Sequence, residues 1–444
     1  MKFTSTDQIQ RRERAILAGI LTPHHETNPD DPLDELRGLA KTAGLVVVSS
    51  LLQKREKPDV ATYIGSGKVE QLKELVEAND ADVVIFDNDL APSQTRNLER
   101  ALGVKVIDRT EVILDIFARR AQTHEAHLQV ELAQLEYALP RLKRMWTHLS
   151  RYKGGIGVRG PGEKQLEEDR RLVEHRIRDL KDKLSRIQKR KEREVAARAS
   201  IPTISLVGYT NAGKSTLMNA LTQAGVHAED QLFATLDTRT RRWALGGGRL
   251  ALLSDTVGFI RNLPHSLVAS FKATLEEARQ ADLLLHVVDA SNPDAEQQVE
   301  AVNRVLEELG LTERPTLVVL NKVDRVKDRS YLDALASRYH NTVALSAASG
   351  LGLDELANEV RAALDEEMIE VRIETPAGDG RVLAYLKQHA TILEQDFGET
   401  CARLRCKLPR KCLDYLGEQG VAVVPIVHEQ ANASLVHPDL GVAG

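Results

Sequence analysis

The sequence predicts an α/β protein built from four parts: an N-terminal parallel α/β domain, a basic antiparallel helical hairpin, a larger α/β domain and a small α+β C-terminal appendage. Three observations favour this architecture. A chain of 444 residues is too long for a single core. Short apolar runs alternate with helical patterns in two separate stretches. A long segment with heptad spacing lies between them.

Composition excludes several classes of protein. Apolar residues make up 42% and charged residues 28% of the chain, which is typical of folded globular proteins and not of disordered ones. The three cysteines form an odd set near the C-terminus, unlike a secreted disulfide framework. The sequence has no run of about 18 apolar residues. We therefore expect a cytoplasmic protein without stable membrane attachment, and we treat it as a monomer.

Residues 1–120 are predicted to form the N-terminal domain. After a polar start at 22–35, three apolar runs are separated by helical segments, which predicts parallel strands joined by right-handed crossovers. The runs lie at 45–48, 83–86 and 104–107. Gly65-Ser66-Gly67-Lys68 lies where a strand would meet a helix. This short motif has two interpretations, an ordinary turn or a contact for phosphate or RNA at the helix N-terminus.

Residues 121–198 are predicted to form the helical hairpin. Two series of apolar residues recur mostly at three- and four-residue spacing, as one face of a helix requires. The second series follows a Gly-rich gap and suits packing against a partner helix. The first series is Leu128, Leu132, Leu135, Leu139 and Leu142, and the second is Leu166, Val173, Ile177, Leu180, Leu184 and Ile187.

Positive charge is concentrated on this hairpin. Residues 141–193 contain 18 Lys or Arg and 8 Asp or Glu, although the whole chain has a net charge of −5. Along the second helix we expect these side chains to be solvated or paired with carboxylates. The tip, residues 146–162, has five glycines and no acidic residue, so it suits RNA backbone and bases. The predicted RNA-binding residues are Arg151, Tyr152, Lys153 and Arg159.

Residues 199–367 are predicted to form a second parallel α/β domain. This domain contains a Walker A phosphate loop. The apolar runs lie at 204–207, 250–253, 283–288, 316–320 and 342–345. The loop follows the first run and precedes a helix, which is the context that the motif requires. Its residues are Gly208, Tyr209, Thr210, Asn211, Ala212, Gly213, Lys214, Ser215 and Thr216. Lys214 would reach the terminal phosphates of a nucleotide, and Ser215 would bind Mg²⁺.

Three further motifs follow later strands, at the edge where α/β sheets bind ligands. Asp255 would hold a Mg²⁺-bound water, and the N–H of Gly258 would contact the γ-phosphate. Asp324 can accept two hydrogen bonds from guanine, which favours GTP over ATP, and Lys322 would pack over the base. The motifs are Asp255-Thr256-Val257-Gly258, Asn321-Lys322-Val323-Asp324 and Ser346-Ala347-Ala348. Together they predict a P-loop GTPase domain.

A loop between the Walker A helix and Asp255 is a candidate second Mg²⁺ contact. Its residues are Phe233, Ala234, Thr235, Leu236 and Asp237. Small GTPases place there a threonine that completes the Mg²⁺ shell, and Thr235 is the candidate. The alternative is an ordinary polar linker, since Thr238 and Thr240 lie nearby.

Two positions bear on the rate of hydrolysis. Phe259 stands where Ras-like enzymes place a water-orienting glutamine, so we expect slow intrinsic hydrolysis. Asn211 resembles the asparagine of potassium-activated GTPases, which helps to place K⁺ beside the phosphates. The predicted catalytic residues are Lys214, Thr235, Gly258 and Asn211.

The assembled chain resembles the HflX family of ribosome-associated translational GTPases over nearly its whole length. Tyr63-Ile64-Gly65-Ser66-Gly67-Lys68 is similar to the signature of that family's N-terminal domain, and residues 154–163 are similar to its hairpin loop. Residues 368–444 add little to the likeness. In them we expect strands at 368–373 and 402–408 and a helix at 381–393.

The resemblance implies a Mg²⁺-dependent GTPase that binds the large ribosomal subunit and its rRNA. It would act on intact ribosomes, splitting or rescuing stalled ones under stress in its GTP state, with hydrolysis for release. The positive hairpin tip independently favours an rRNA partner. The resemblance also suggests weak ATP hydrolysis by the N-terminal part. Alternatives are a ribosome-assembly or RNA-chaperone GTPase and a tRNA-modification GTPase.

Overall fold

The computed structural model describes residues 12–22, 31–145, 161–196, 201–222, 232–236, 239–261, 277–339, 341–366, 368–398, 400–409 and 412–426. The chain divides into two compact units, Met1–Glu359 and Val360–Gly444. Several residues singled out in the sequence lie outside the described ones. They are Arg151, Tyr152, Lys153, Arg159, Asp237 and Thr238.

The N-terminal sheet is parallel, as predicted, but it contains a strand that the sequence reading missed. Its described strands are β1 (Arg14–Leu21), β2 (Val46–Lys54), β3 (Val83–Phe86) and β4 (Lys105–Asp108), in the order β2-β1-β3-β4. β1 lies inside the sheet, and its residues 15–20 are buried. Because both faces of the sheet are covered, this strand is continuously apolar and lacks the alternation that marks a half-exposed strand.

Helices cover both faces of this sheet. The first face carries α1 (Asp34–Thr42) and α4 (Arg109–Arg120), and the second carries α2 (Ser66–Asn79) and α3 (Pro92–Leu102). Alternate residues of β1 therefore enter two different cores. α1 begins at Asp34, so the last two residues of the polar start already belong to this helix. Leu36, Leu39 and Ala40 bury the apolar face of α1.

The hairpin consists of α5 (His124–Met145) and α6 (Pro161–Ala196). The predicted apolar stripes form its seam, with buried Leu128, Leu132, Ile177, Leu180 and Leu184. Ion pairs join Glu125 to Lys191 and Glu136 to Lys181, each at 2.8 Å. Since the residue numbers rise along one helix while they fall along the other, the two helices are antiparallel. For Lys181 and Lys191, these pairs confirm the expected pairing of basic side chains with carboxylates.

The larger α/β domain contains the five predicted strands. Its described elements are β5 (Thr203–Gly208), α7 (Lys214–Thr222), β6 (Arg239–Gly246), β7 (Arg249–Asp255), β8 (Leu283–Asp289), α8 (Ala295–Glu308), β9 (Thr316–Asn321), α9 (Arg329–Arg338), β10 (Thr342–Ala344) and α10 (Leu353–Glu366). The strand order is β10-β9-β8-β5-β7-β6. β6 was not predicted. It is an antiparallel edge strand whose first four residues are polar and exposed, so that only its second half, with buried Trp243 and Leu245, has the alternation of a strand.

A histidine is buried inside this sheet and makes stability depend on pH. His286 of β8 is 2% exposed, and burial, with a smaller contribution from Lys214, lowers its pKa to about 4. In an unfolded chain the imidazole pKa is about 6.5. Above about pH 6.5 both states are neutral, so the contribution of His286 to stability is complete. As the pH falls towards 4, the unfolded state alone takes up the proton.

We expect this histidine to remove on the order of 3 kcal/mol of stability as the pH falls from about 6.5 to about 4. In His286→Leu this part of the acid destabilisation should disappear, so the curve of unfolding free energy against pH becomes flatter. Urea unfolding of both chains across that pH range measures the difference. Parallel curves for the two chains would contradict the assignment.

The unit Val360–Gly444 contains an antiparallel sheet with helices, the α+β arrangement that was predicted. Its described elements are β11 (Met368–Pro376), α11 (Gly380–His389), β12 (Thr391–Phe397), β13 (Cys401–Pro409), α12 (Cys412–Glu418) and β14 (Ala422–Pro425), in the sheet order β12-β13-β11-β14. The helix predicted at 381–393 ends earlier, at His389. The β-branched Thr391 and Ile392 favour extended backbone and begin β12 instead. Among the helices of the described residues, none combines the length and apolar character needed to cross a membrane.

Candidate functional site

The predicted motifs meet at the carboxyl ends of neighbouring strands. The phosphate loop follows β5, Asp255 ends β7, Asn321 ends β9, and Ser346 lies just beyond β10. The sheet order places β5 between β7 and β8, so the phosphate loop occupies the centre of this edge. Ligands of parallel α/β sheets bind at such an edge.

Two glycines allow the sharp course of the phosphate loop. Gly208 has a φ of +146°, and a Cβ there would lie 2.2 Å from the carbonyl oxygen of Val287. Gly213 has a φ of +96°, and a Cβ there would lie 2.3 Å from Nδ2 of Asn321. Only glycine combines these backbone angles with such close neighbours.

Lys214 begins α7 and is buried inside the phosphate loop. Its Nζ donates to the carbonyl oxygens of Gly208 at 3.0 Å and Tyr209 at 2.8 Å. Burial lowers the pKa of Lys214 to about 8, although the nearby Asp255 carboxylate acts in the opposite direction. The carbonyl oxygens of the phosphate loop thus hold the amine that is expected to contact the phosphates.

Oxygen atoms from three separate motifs converge next to this lysine. The hydroxyl of Ser215 donates to Oδ2 of Asp255 at 2.6 Å, and that of Thr235 donates to the same oxygen at 2.9 Å. The two hydroxyls are 2.7 Å apart. The other carboxylate oxygen, Oδ1 of Asp255, is buried and receives no hydrogen bond from the described residues. Burial raises the pKa of Asp255, opposed by Lys214 and the two hydroxyls.

The turn after Asp255 is bonded to the phosphate loop. The backbone N–H of Thr210 donates to the carbonyl oxygen of Phe259 at 2.6 Å, and the N–H of Phe259 donates to that of Gly208 at 3.1 Å. A Cβ on Gly258 would lie 2.7 Å from Cα of Thr210, so this position also requires glycine. Phe259 is buried and its side chain offers no polar group.

Asn321 ties two motifs to the phosphate loop. Its Nδ2 donates to the carbonyl oxygen of Ala212 at 2.8 Å, and its Oδ1 accepts the N–H of Ala347 at 3.0 Å. The side chain is 2% exposed, so both bonds are shielded from water. The phosphate loop, the end of β9 and the Ser346-Ala347-Ala348 segment therefore form one bonded assembly.

Lys322 and Asp324 follow Asn321 just beyond the end of β9. Lys322 has a φ of +64°, and its Nζ donates to the carbonyl oxygen of Asn211 at 2.8 Å and to Asp289 at 2.6 Å. Asp324 is exposed in a short 3-10 turn, Val323–Arg325. The sequence reading missed Asp289, which holds Lys322. The sequence did contain a sign of this residue, because Asp289 is a carboxylate at the carboxyl end of the apolar strand β8.

Comparison with known proteins identifies the family. Three family models match in succession: GTP-binding GTPase N-terminal over residues 30–118, GTP-binding GTPase Middle Region over 120–198, and 50S ribosome-binding GTPase over 203–322. GTPase HflX of Magnetococcus marinus is 48% identical, with 90% of this chain and 93% of that protein covered. GTPase HflX of Escherichia coli is 45% identical, with 92% and 99% covered.

A solved structure is also similar, that of a GTP-binding protein from the archaeon Sulfolobus solfataricus in complex with GDP. It is 26% identical, with 80% of this chain and 99% of that chain covered and a TM-score of 0.42. The two HflX relatives match over nine-tenths of this chain at well above 30% identity. The chain belongs to the HflX family of GTPases.

Proposed function

We propose that the chain binds GTP with Mg²⁺ at the edge of the larger sheet and hydrolyses it to GDP and phosphate. The observation that carries this proposal is the convergence of Ser215, Thr235 and Asp255, whose oxygens lie 2.6–2.9 Å from one another beside the buried Lys214. Hydroxyl and carboxylate oxygens are the ligands that Mg²⁺ prefers. Membership in a family of GTPases supports the same reaction.

Each motif has a distinct role in this proposal. Backbone N–H groups of the phosphate loop and the N-terminus of α7 bind the phosphates, and Lys214 balances their charge. Ser215 and Thr235 would hold Mg²⁺ directly, and Asp255 would hold it through water. The buried and unbonded Oδ1 of Asp255 fits a cation site, because such an oxygen is otherwise costly. Bound Mg²⁺ would neutralise charge on the phosphate oxygens, and the N–H of Gly258 would contact the γ-phosphate.

Guanine recognition is assigned to Asp324. The change Asp324→Asn replaces an acceptor of two N–H groups by a side chain with one acceptor and one donor. We expect GTP affinity to fall about 10- to 100-fold, which corresponds to the free energy that a hydrogen bond to a charged group contributes. Affinity for xanthosine triphosphate should rise. Competition against a labelled nucleotide measures both.

The matched control for this change is Asp328→Asn. Asp328 caps α9 by accepting the N–H of Ser330 at 2.9 Å, and asparagine caps helices equally well. Nucleotide preference should stay unchanged in this control. The same unchanged preference in Asp324→Asn would count against the guanine assignment.

Hydrolysis by the isolated chain should be slow, because Phe259 cannot orient water. A monovalent cation is the proposed supplement, held near Asn211, an exposed residue with a φ of +60° in the phosphate loop. We expect faster turnover in K⁺ than in Na⁺ at equal ionic strength, and we expect Asn211→Ala to remove the difference. Equal rates of the wild-type chain in both salts would exclude a potassium site.

The proposed partner is the large ribosomal subunit with its rRNA. The hairpin between 141 and 193 carries an excess of basic residues, and polyanion binding by such a segment follows from counterion release. The family model matched over residues 203–322 describes 50S ribosome-binding GTPases. In the GTP state the chain would split or rescue stalled ribosomes under stress, and hydrolysis would permit release.

Sedimentation of intact ribosomes with the chain tests this function. GTP, a non-hydrolysable analogue, GDP and no nucleotide form the four arms. Free subunits with both GTP and the analogue would support splitting by the GTP state. Comigration with large subunits without splitting would favour the assembly or chaperone alternative, and a copurifying modification enzyme would favour the tRNA-modification alternative. Absence of ribosome association in every arm would refute the proposed partner.

A further inference from the structure

A buried polar cluster joins the N-terminal domain to the phosphate loop. The hydroxyl of Tyr209 donates to the carboxylate of Glu35 in α1 and accepts the backbone N–H of Arg261 at 2.8 Å. Arg109, the first residue of α4, donates to Glu35 at 2.6 Å and to the carbonyl oxygen of Arg261 at 3.2 Å. The same guanidinium pairs with Asp87 at 2.8 Å.

Little water reaches this cluster. The side chain of Arg109 is 4% exposed and that of Glu35 is 15% exposed. Burial alone would lower the pKa of Arg109, but Glu35 and Asp87 outweigh it and raise the pKa. Burial, followed by the charge of Glu35, raises the pKa of Tyr209 well above its usual value. Tyr209 therefore keeps its proton and acts as a donor, and charge-assisted bonds of this kind hold geometry strongly in buried surroundings.

The loop that carries Thr235 packs on the same two helices. The ring of Phe233 meets that of Phe117 in α4 edge to face, with centroids 4.7 Å apart. Arg120 of α4 donates to the carbonyl oxygen of Ala234 at 3.3 Å. Leu236, Val257, Phe259 and Ile260 share one buried cluster with residues of α1 and α4. Both loops expected to contact the terminal phosphate of GTP thus rest on the N-terminal domain.

We propose that Glu35 and Arg109 are positioning residues for the GTP site, and that γ-phosphate binding and the packing of α1 and α4 on the two loops favour each other. The inference rests on the proposed function of the site. In this packed arrangement the hydroxyl of Thr235 lies within 3 Å of Ser215 and Asp255, at 2.7 and 2.9 Å, as the GTP state requires. Coupling between two sites is reciprocal, so a ligand that keeps these loops in place also strengthens the packing.

The residue before Arg109 connects this cluster to the hairpin. Asp108 accepts hydrogen bonds from the hydroxyl of Tyr137 at 2.7 Å and from Arg141 at 2.8 Å, both in α5. Asp108 ends β4 and Arg109 begins α4. Two consecutive residues therefore connect the two regions: Asp108 bonds to the hairpin, and Arg109 bonds to the cluster beside the nucleotide loops.

Tyr209→Phe and Glu35→Gln in the full-length chain test the proposal. The first variant removes only the hydroxyl and keeps the ring packed, and the second removes the charge while it keeps the shape. We expect each to weaken binding of a non-hydrolysable GTP analogue about 5- to 50-fold and binding of GDP by less than about twofold, as a coupling to the γ-phosphate alone predicts. Arg37→Gln is the control. It breaks an exposed ion pair with Asp31 on α1 at 3.0 Å and should change neither affinity.

The double variant separates positioning from general weakening. Because Tyr209 and Glu35 share one hydrogen bond, while Glu35 also pairs with Arg109, the combined loss of analogue affinity should be smaller than the sum of the two single losses. Three results would each overturn the proposal: equal losses for GDP and the analogue, tighter binding of the analogue, or losses that add in the double variant. A wild-type chain that binds neither nucleotide would instead overturn the proposed function, whatever these variants do.

Discussion

Replacing Lys214 by alanine is expected to abolish GTP binding and, with it, ribosome-stimulated turnover. A triphosphate brings several negative charges into a loop whose other donors are neutral N–H groups, so the lysine supplies the loop's own compensating charge beside that of the proposed Mg²⁺. Loss of one donor from a transition-state site typically lowers turnover about 10²- to 10³-fold, and we expect at least that loss here. Titration with a fluorescent nucleotide and an assay of phosphate release measure the two effects separately.

Lys105→Ala is the matched control for this change. Lys105 pairs with Glu111 at 3.5 Å on the surface of the N-terminal domain, and its side chain is 63% exposed. Binding and turnover should both stay at the wild-type level. If Lys214→Ala also keeps wild-type turnover, the proposed site is wrong. If it loses turnover but keeps its affinity for GTP, Lys214 acts in hydrolysis alone.

The phosphate loop is predictable from sequence because its determinants are local. A buried strand, two glycines at fixed spacing and a helix that begins at Lys214 set its course within about a dozen residues, and each has a recognisable sequence pattern. The later motifs are predictable for a related reason. Asp255 and Asn321 end apolar strands, and the carboxyl ends of parallel strands share one edge of the sheet.

The contacts made by the N-terminal domain could not be predicted in the same way. Tyr209 and Glu35 are 174 positions apart, and neither belongs to a periodic pattern that points to the other. Glu35 lies in the first turn of α1. An acidic residue is common there because it interacts favourably with the helix dipole, so its presence does not point to a distant partner. Only the tertiary packing shows that its carboxylate faces the phosphate loop.

Two of the strands that the sequence did not predict illustrate the limits of periodicity. β1 is apolar on both faces, and β6 begins with four exposed polar residues and alternates only in its second half, so neither strand alternates over its whole length. Alternation marks a strand only when one of its faces is buried and the other is exposed. The hairpin is the opposite case, since its apolar stripe is regular and its buried seam contains the predicted residues.

Adding a single methyl group at Gly208 is expected to have the second large effect. In Gly208→Ala the new Cβ would lie 2.2 Å from the carbonyl oxygen of Val287, and the φ of +146° is itself strained for any residue but glycine. The neighbour is backbone in the middle of β8, so it cannot rotate away as a side chain would. Strand β5 must move, and the phosphate loop moves with it.

We expect Gly208→Ala to lose about 3 kcal/mol or more of stability, which for a domain of this size lowers the melting temperature by roughly 6–12 °C, and to lose GTP affinity as well. Thermal unfolding and nucleotide titration measure the two. The control is Gly67→Ala in α2, where nothing lies within 4 Å of the added Cβ and alanine favours the helix, so the melting temperature should stay or rise. A stable Gly208→Ala chain that has lost GTP affinity would show that the clash is relieved within the loop. Unchanged stability and affinity together would mean that β5 and β8 leave room for a Cβ at Gly208, against a distance of 2.2 Å to the carbonyl oxygen of Val287.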